Sequence, residues 1–234
     1  MRHALPSLVL ALLALSCSKS ADVVDAGPSS RPLELVNVRV KDAPLELRIP
    51  TTWEVVDQKT ADAPAKPPPP KDGVTPKVTL TNRLLLTVKA KEGVRGPLAA
   101  PRIELFHDPW LPIGTSATDY LTAQRTANEA AVKAGTGQAS TTIRHVEAER
   151  SRRDGRPTYF VRDEWDLEFK LMKGNETPDV LKDTISQVSL LLIDSDDDGE
   201  LHGYTFVATM LKKDRDRLDA TLREILGSVK FAKE

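Results

Sequence analysis

The sequence predicts an α+β fold in which an antiparallel sheet is covered by amphipathic helices, and three observations predict it. Apolar and polar residues alternate in short runs, as where Leu45, Leu47 and Ile49 enclose Glu46 and Arg48, which is the period of a strand with one wet face. Runs of this kind come in pairs around turn signals, at Asp154-Gly155 and at Asp194–Gly199. Two further segments, one from Ser116 and one from Asp214, repeat their apolar residues at helical spacing.

The composition bounds the possibilities. The chain has 234 residues, 33 Lys+Arg against 34 Asp+Glu for a net charge of -1, 40% apolar residues and one Cys. Phosphate affinity requires concentrated positive charge, so this balance excludes a dedicated nucleic-acid binder. One Cys excludes a disulfide framework. The apolar content suffices for a core, while 17 Pro and 12 Gly point to long irregular segments.

The first element is an export leader. Residues 1–16 place Arg2 ahead of an apolar stretch from Leu8 to Leu15 and end on small Ser16, the layout of a signal peptide. The stretch is shorter than the ~20 residues a membrane-spanning helix needs. The only Cys, Cys17, follows at once. Ala14-Leu15-Ser16-Cys17 resembles a bacterial lipobox, with Ala14 where Leu is commoner. The resemblance implies cleavage before Cys17 and acylation of that residue. Several acyl chains hold a protein stably on a bilayer, each buried CH₂ contributing about 0.8 kcal/mol. Ala14-x-Ser16 also suits an ordinary signal peptidase, which leaves a soluble exported form open. Residues 18–32 contain few large apolar groups and read as a flexible tether.

Residues 33–234 read as a single α+β domain. Strand alternation at Leu45–Ile49 ends at Pro50, and Trp53, Val55 and Val56 restart it. Residues 59–77 form a Pro-rich loop, because Pro67 to Pro70 cannot donate ladder hydrogen bonds. Its polyproline character could serve an aromatic groove on a partner, but a stiff surface insertion explains it more simply. Strand character returns over 78–90 and around Ile103, Leu105 and Phe106. Ser116 and Asp119 then form a capping box, and Tyr120, Ala123, Ala127, Ala130, Ala131 and Ala134 predict a stripe of small residues lying close on the sheet until Gly135. Thr141 to Arg152 and Pro157 to Phe169 flank Asp154-Gly155 as one hairpin, and Ile185 to Ile193 and Leu201 to Met210 flank the acidic turn as another. Residues 173–179 read as a loop between them. The closing helix takes Asp214 as its cap and aligns Leu218, Leu222, Ile225 and Val229, with Gly227 in its last turn.

This order of elements, with Trp53 three residues after Pro50 and Ser228-Val229-Lys230-Phe231 behind the last helix, resembles the PsbP-like α/β/α sandwich of many small exported bacterial lipoproteins, over about residues 33–233. The resemblance implies a non-catalytic domain that binds or assists larger assemblies, and it supplies no active-site residues.

Candidate chemistry is sparse. Asp194, Asp196 and Asp198 before Gly199 have the D-x-D-x-D-G spacing of a Ca²⁺ loop, which supplies hard oxygens. Thr205 stands where the bidentate Glu of an EF-hand belongs, which favours a turn whose acids solvate its tip. Glu164, Asp166 and Glu168 offer three carboxylates, but alternation with Trp165, Leu167 and Phe169 makes them the wet side of a strand. Arg150, Arg152, Arg153 and Arg156 crowd one turn and could grip an acidic partner or lipid headgroups, unless they are simply solvated. His107, His145 and His202 match no zinc spacing, and neither a G-x-S-x-G elbow nor a phosphate-cradling loop occurs. The expectation is a lipid-anchored, non-enzymatic protein of the bacterial envelope, its domain on the periplasmic side. Its partners would be the membrane, through acylated Cys17, and another envelope protein; no nucleic acid and no cofactor beyond a possible Ca²⁺ is implied. An exported Ca²⁺ module and an exported hydrolase are the alternatives.

Overall fold

Alternation does produce strands here, and they assemble into two sheets in which every pairing is antiparallel. The computed structural model describes residues 34–56, 60–68, 76–91, 101–134, 140–171 and 179–232. The leader, Cys17, the tether, Gly135 and nearly all of the 173–179 loop lie outside the described residues. Strands β1 (Leu35–Arg39), β2 (Leu45–Pro50) and β10 (Lys230–Phe231) form a small sheet in the order β1-β2-β10. The large sheet contains β3 (Trp53–Val55), β4 (Arg83–Ala90), β5 (Arg102–Leu111), β6 (Ser140–Arg153), β7 (Arg156–Leu171), β8 (Asp179–Ser195) and β9 (Leu201–Leu211), in the order β3-β4-β5-β9-β8-β7-β6.

The two expected hairpins are joined rather than separate. β7 pairs with β8 from Thr158 opposite Leu192 to Leu171 opposite Asp179, so β6 to β9 make one continuous meander. The β6–β7 turn has Asp154 at φ 50° and Gly155 at φ 78°, the left-handed pair that a two-residue hairpin needs to match strand twist. The expected strand over 78–90 starts only at Arg83. Asn82 has φ 47°, and its N–H is turned onto the Asp108 carboxylate.

Helix α1 (Ala117–Lys133) and helix α2 (Arg215–Gly227) pack on opposite faces of the large sheet, giving α/β/α layering. The α2 face is the main core. Leu222, Ile225 and Leu226 meet Val88, Ile103, Leu105, Val188, Leu190, Leu192, Phe206 and Met210, with Leu45, Leu47 and Ile49 of the small sheet closing the layer. Side chains of this kind contribute about 1.5–3 kcal/mol each when fully buried. β8 serves both faces, since Leu190 and Leu192 point to α2 while Leu191 and Ile193 join Tyr120 and Leu121 of α1. That is why 190–193 reads as an unbroken apolar run.

The two helix starts compare differently with the sequence expectation. The α1 capping box forms as expected, with Ser116 Oγ accepting from Asp119 N and Ser116 N donating to Asp119 Oδ2 at 2.9 Å. At α2, however, a 3₁₀ turn over Lys212–Asp214 runs straight into the helix. It gives Asp214 helical dihedrals, so its carboxylate makes no cap bond and takes Arg217 instead. Val229 is buried but lies beyond the helix end.

The alanine stripe of α1 is also corrected. Tyr120, Ala123 and Ala127 do pack against the sheet, but Ala130 and Ala134 are exposed, and Gln124, Arg125, Asn128 and Val132 also face the sheet. Only Ala117, Tyr120 and Leu121, all in the first turns, are fully buried. The helix is therefore fastened at its N-terminal end by Tyr120 and Leu121 and near its C-terminal end by Val132 on the Trp165 and Leu167 cluster, with a polar stretch between.

Candidate functional site

Of the residues singled out from the sequence, the structure brings the Arg-rich and acidic turns together through Arg156 and Asp194, sets His202 against Asp196, and leaves the β7 carboxylates and His145 elsewhere. At the acidic turn, Asp194 Oδ1 accepts from Arg156 Nε, Asp196 Oδ1 accepts from Glu200 N at 2.8 Å, and Asp196 Oδ2 meets His202 Nε2 at 3.1 Å. Asp198 is exposed. Gly199, at φ 78°, supplies the reversal. Each bonded carboxylate thus serves the turn itself or its neighbour strand. Among the described residues no three His, Cys, Asp or Glu side chains converge as a metal site.

The arginine cluster divides into two pairs. Arg153 reaches across to the end of α2, where Nη1 donates to Leu226 O at 3.2 Å, Gly227 O at 2.6 Å and Val229 O at 2.8 Å. A guanidinium is a fitting cap there, because the last carbonyls of a helix lack partners and carry the negative end of its dipole. Burial lowers the Arg153 pKa from its ordinary value. Arg156 holds Asp194 and stacks 3.9 Å from the Phe231 ring centroid. Asp154 accepts from Phe231 N, so the whole hairpin tip grips the chain behind α2. Arg150 and Arg152 are exposed.

On β7 the expected wet carboxylate face is partly covered. Glu164 is only 6% exposed, because Lys212 Nζ at 2.8 Å and Arg144 Nη2 at 3.4 Å lie over it. The Lys212 ammonium, in the first place, holds its pKa below the usual range. Asp166 accepts from Arg144, Thr142 and Thr184, and Arg144 above all pushes its pKa well below the ordinary carboxylate value. A general acid for sugar cleavage needs the opposite shift.

The histidines are tied to one another or to acids. His107 Nε2 and His202 Nδ1 lie 3.1 Å apart in a ring stack that continues to Tyr204. His145 bridges Asp163, at 2.8 Å, and Glu129, at 3.1 Å. Beside Trp110, whose ring lies 6.4 Å from that of His202, the Pro-rich segment is strapped to the sheet: Ala61 O accepts from Arg83, Pro64 O accepts from Trp110 Nε1 at 3.0 Å, and Lys66 pairs with Glu200. The described part of this segment, residues 60–68, has neither helix nor strand and is mostly exposed.

One concavity, of about 580 Å³, lies at the Arg-rich turn and is lined by Asn37, Arg48, Arg153, Asp154 and Ser228. Another lies where no motif pointed: beneath the middle of α1 is a cavity of about 60 Å³, floored by β5, β9, β8 and β7. Strand β5 shows how the floor arises. Ile103 and Leu105 point to the α2 core, so Arg102, Glu104 and Phe106 point to α1. By the same alternation β8 contributes Gln187 and Ser189, β9 contributes Thr205, and β7 contributes Asp163 and Trp165. Arg102 pairs with Glu104 at 3.2 Å and Arg125 with Asp163 at 3.6 Å, so the ionic groups balance. Three nitrogens in this lining, Trp165 Nε1, Arg125 Nε and Arg102 Nε, are buried without a hydrogen-bond partner among the described residues. Leaving such a group unbonded costs about 1–3 kcal/mol. At the anchored end, Tyr120 OH donates to Asp108 Oδ2 at 2.7 Å and meets Thr205 Oγ1 at 2.9 Å, and burial raises the pKa of both Asp108 and Tyr120. A polar strand face looks the same in sequence whether water or a helix covers it, so the cavity left no signal there.

No protein-family model and no curated protein matches this sequence. Among solved structures, the chain is similar to cyanobacterial PsbP (CyanoP) from Synechocystis, with a TM-score of 0.45 and 13% identity over 89% of this chain and 98% of that one. It is also similar to LpqN of Mycobacterium tuberculosis, a protein involved in cell envelope biogenesis, with a TM-score of 0.41 and 10% identity over 88% of this chain and 89% of that one. Both likenesses are loose, so nothing about activity or partners passes from those proteins to this one.

Proposed function

We propose that this chain is an exported, lipid-anchored, non-catalytic protein of the bacterial envelope, whose α+β domain binds other molecules at the membrane surface. The observation that carries this proposal is the position of the single Cys, immediately behind a short apolar leader with Arg2 in front of it. Acylation there, with 18–32 as tether, would hold the domain close to a bilayer. The non-catalytic part is supported by what the ionisable groups do. Glu164 and Asp166 are held low by cations, Arg153 and Arg156 brace the fold, and His145 has both ring nitrogens engaged by carboxylates.

Expression in a bacterium with the native leader, followed by membrane fractionation and mass spectrometry of the mature terminus, tests it. The expected result is an acylated Cys17 in the membrane fraction, released to the soluble fraction by Cys17→Ser. A mature terminus without fatty acyl groups would refute the anchor. Cross-linking in intact envelopes addresses the binding role, and recovery of no partner of any kind would count against it.

A further inference from the structure

We propose that the groove at the Arg-rich turn seats the phosphate of an anionic phospholipid headgroup and so sets how the domain lies on its membrane. The groove, of about 580 Å³, opens between the outer face of the small sheet, the end of α2 and the tip of the β6–β7 hairpin. Side chains directly opposite each other on paired strands share a face. Asn37 is opposite Arg48 and Lys230 is opposite Glu46, while Leu45, Leu47 and Ile49 alternate with them into the core. Asn37, Arg48 and Lys230 therefore stand together on the outer face, and all three are exposed. Arg153 completes the basic lining from the hairpin side.

The groove is braced, yet its cations retain donors. Ser228 Oγ accepts from Arg48 N at 2.8 Å and donates to Ile225 O at 2.6 Å, which ties β2 to the end of α2. The Arg48 guanidinium has no hydrogen bond or ion pair among the described residues. Arg153 uses only Nη1 on the α2 carbonyls, and in doing so it offsets the negative helix end that would otherwise repel an anion. Of the nearby acids, Glu46 pairs with Lys230 at 2.7 Å and Asp154 accepts from Phe231 N at 3.3 Å. Arg48, Arg153 and Lys230 thus outnumber the two carboxylates. A guanidinium fork matches two oxygens of one phosphate, which selects that group over a simple anion.

The lipid source follows from where the groove lies. Residues 18–32 join the domain at β1, the strand that contributes Asn37. This step rests on the anchored reading above, in which Cys17 fixes that end of the chain to a bilayer. An anchored domain meets headgroups at high effective concentration, so a groove with a small surplus of positive charge suffices. The chain as a whole, at a net charge of -1, has no general attraction to an anionic surface, and orientation is left to such a local patch.

The test is co-sedimentation of the full chain carrying Cys17→Ser with vesicles of phosphatidylcholine alone or mixed with phosphatidylglycerol, at physiological ionic strength. Binding to the anionic vesicles should be stronger by at least about tenfold. Arg48→Ala and Lys230→Ala should each weaken it by about fivefold, the effect of one basic group at an anionic surface, with the melting temperature nearly unchanged. Arg150→Ala should weaken it by less than about twofold, because Arg150 is opposite Tyr159, which packs on the α1 side of the sheet. Equal binding to both kinds of vesicle, equal losses from Arg48→Ala and Arg150→Ala, or no loss in either groove variant would overturn the assignment. Full displacement by millimolar inorganic phosphate would also overturn it, in favour of a free phosphate, as would binding of polyglutamate without binding of anionic vesicles, in favour of an acidic protein. The measurement needs no acyl chain, so a missing lipid at Cys17 and a missing headgroup contact are read separately.

Discussion

Gly203 lies directly beneath the ring of Tyr120: a Cβ on Gly203 would sit 2.6 Å from Tyr120 Cζ and 2.8 Å from its hydroxyl oxygen. Strand β9 thus omits a side chain so that the first turn of α1 can seat a fully buried tyrosine against it, with its hydroxyl on Asp108. Gly203→Ala forces that ring, packed on all sides, to move. We expect a loss of about 1–3 kcal/mol in urea unfolding, the range for overpacking, and a largely neutral effect of the same change in a Tyr120→Leu background. Equal costs in both backgrounds would show that the contact is not the reason for the glycine.

Acid should loosen the protein in a defined window. Burial, and secondarily His202 and Arg83, lower the His107 pKa from 6.5 to about 4. The unfolded chain then binds a proton that the folded chain refuses, so stability is full above about pH 6.5 and declines as the pH falls toward about 4. The decline attributable to His107 is on the order of 3 kcal/mol, at 1.36 kcal/mol per unit. Measured against pH in urea, His107→Asn should flatten this part of the curve. An unchanged slope would mean the proton is taken up elsewhere.

The four clustered arginines should respond unequally. Arg153→Ala removes a charged donor from three carbonyls behind α2 and should cost about 1.5–3 kcal/mol, visible as early loss of helical signal on heating. Arg150→Ala and Arg152→Ala, at exposed positions, should stay within about 0.5 kcal/mol of the parent. Similar costs at all four positions would contradict the division.

Calcium offers a direct check on the acidic turn. Because Asp194 is engaged by Arg156 and Asp196 by Glu200 N and His202, millimolar Ca²⁺ should leave the melting temperature unchanged. Asp196→Ala should instead destabilise by about 1 kcal/mol through the lost turn bonds. A melting temperature that climbs with Ca²⁺ would mean that the ion displaces Arg156 and assembles the three aspartates.

Sequence periodicity by itself determined the strands around Leu45–Ile49 and Ile103–Leu105, the Asp154-Gly155 turn and the α1 capping box, because each depends on side chains within a few residues of one another. It also determined the expectation of export, which rests on the order of Arg2, the apolar stretch and Cys17 alone. Only the tertiary structure decided what covers each polar face. Glu164 reads as solvated until Lys212, 48 residues away, lies over it, and Arg153 reads as a surface charge until the end of α2 arrives. The helical stripe of α1 is right at Tyr120, Ala123 and Ala127 and wrong at Ala130 and Ala134 for the same reason: Tyr120 and Leu121 fix the rotation by filling the apolar end, and this also turns Gln124, Arg125 and Asn128 toward the sheet. A single strand or helix records which of its faces is polar. Whether that face meets water, a counter-charge or a cavity is set by contacts between residues far apart in the chain.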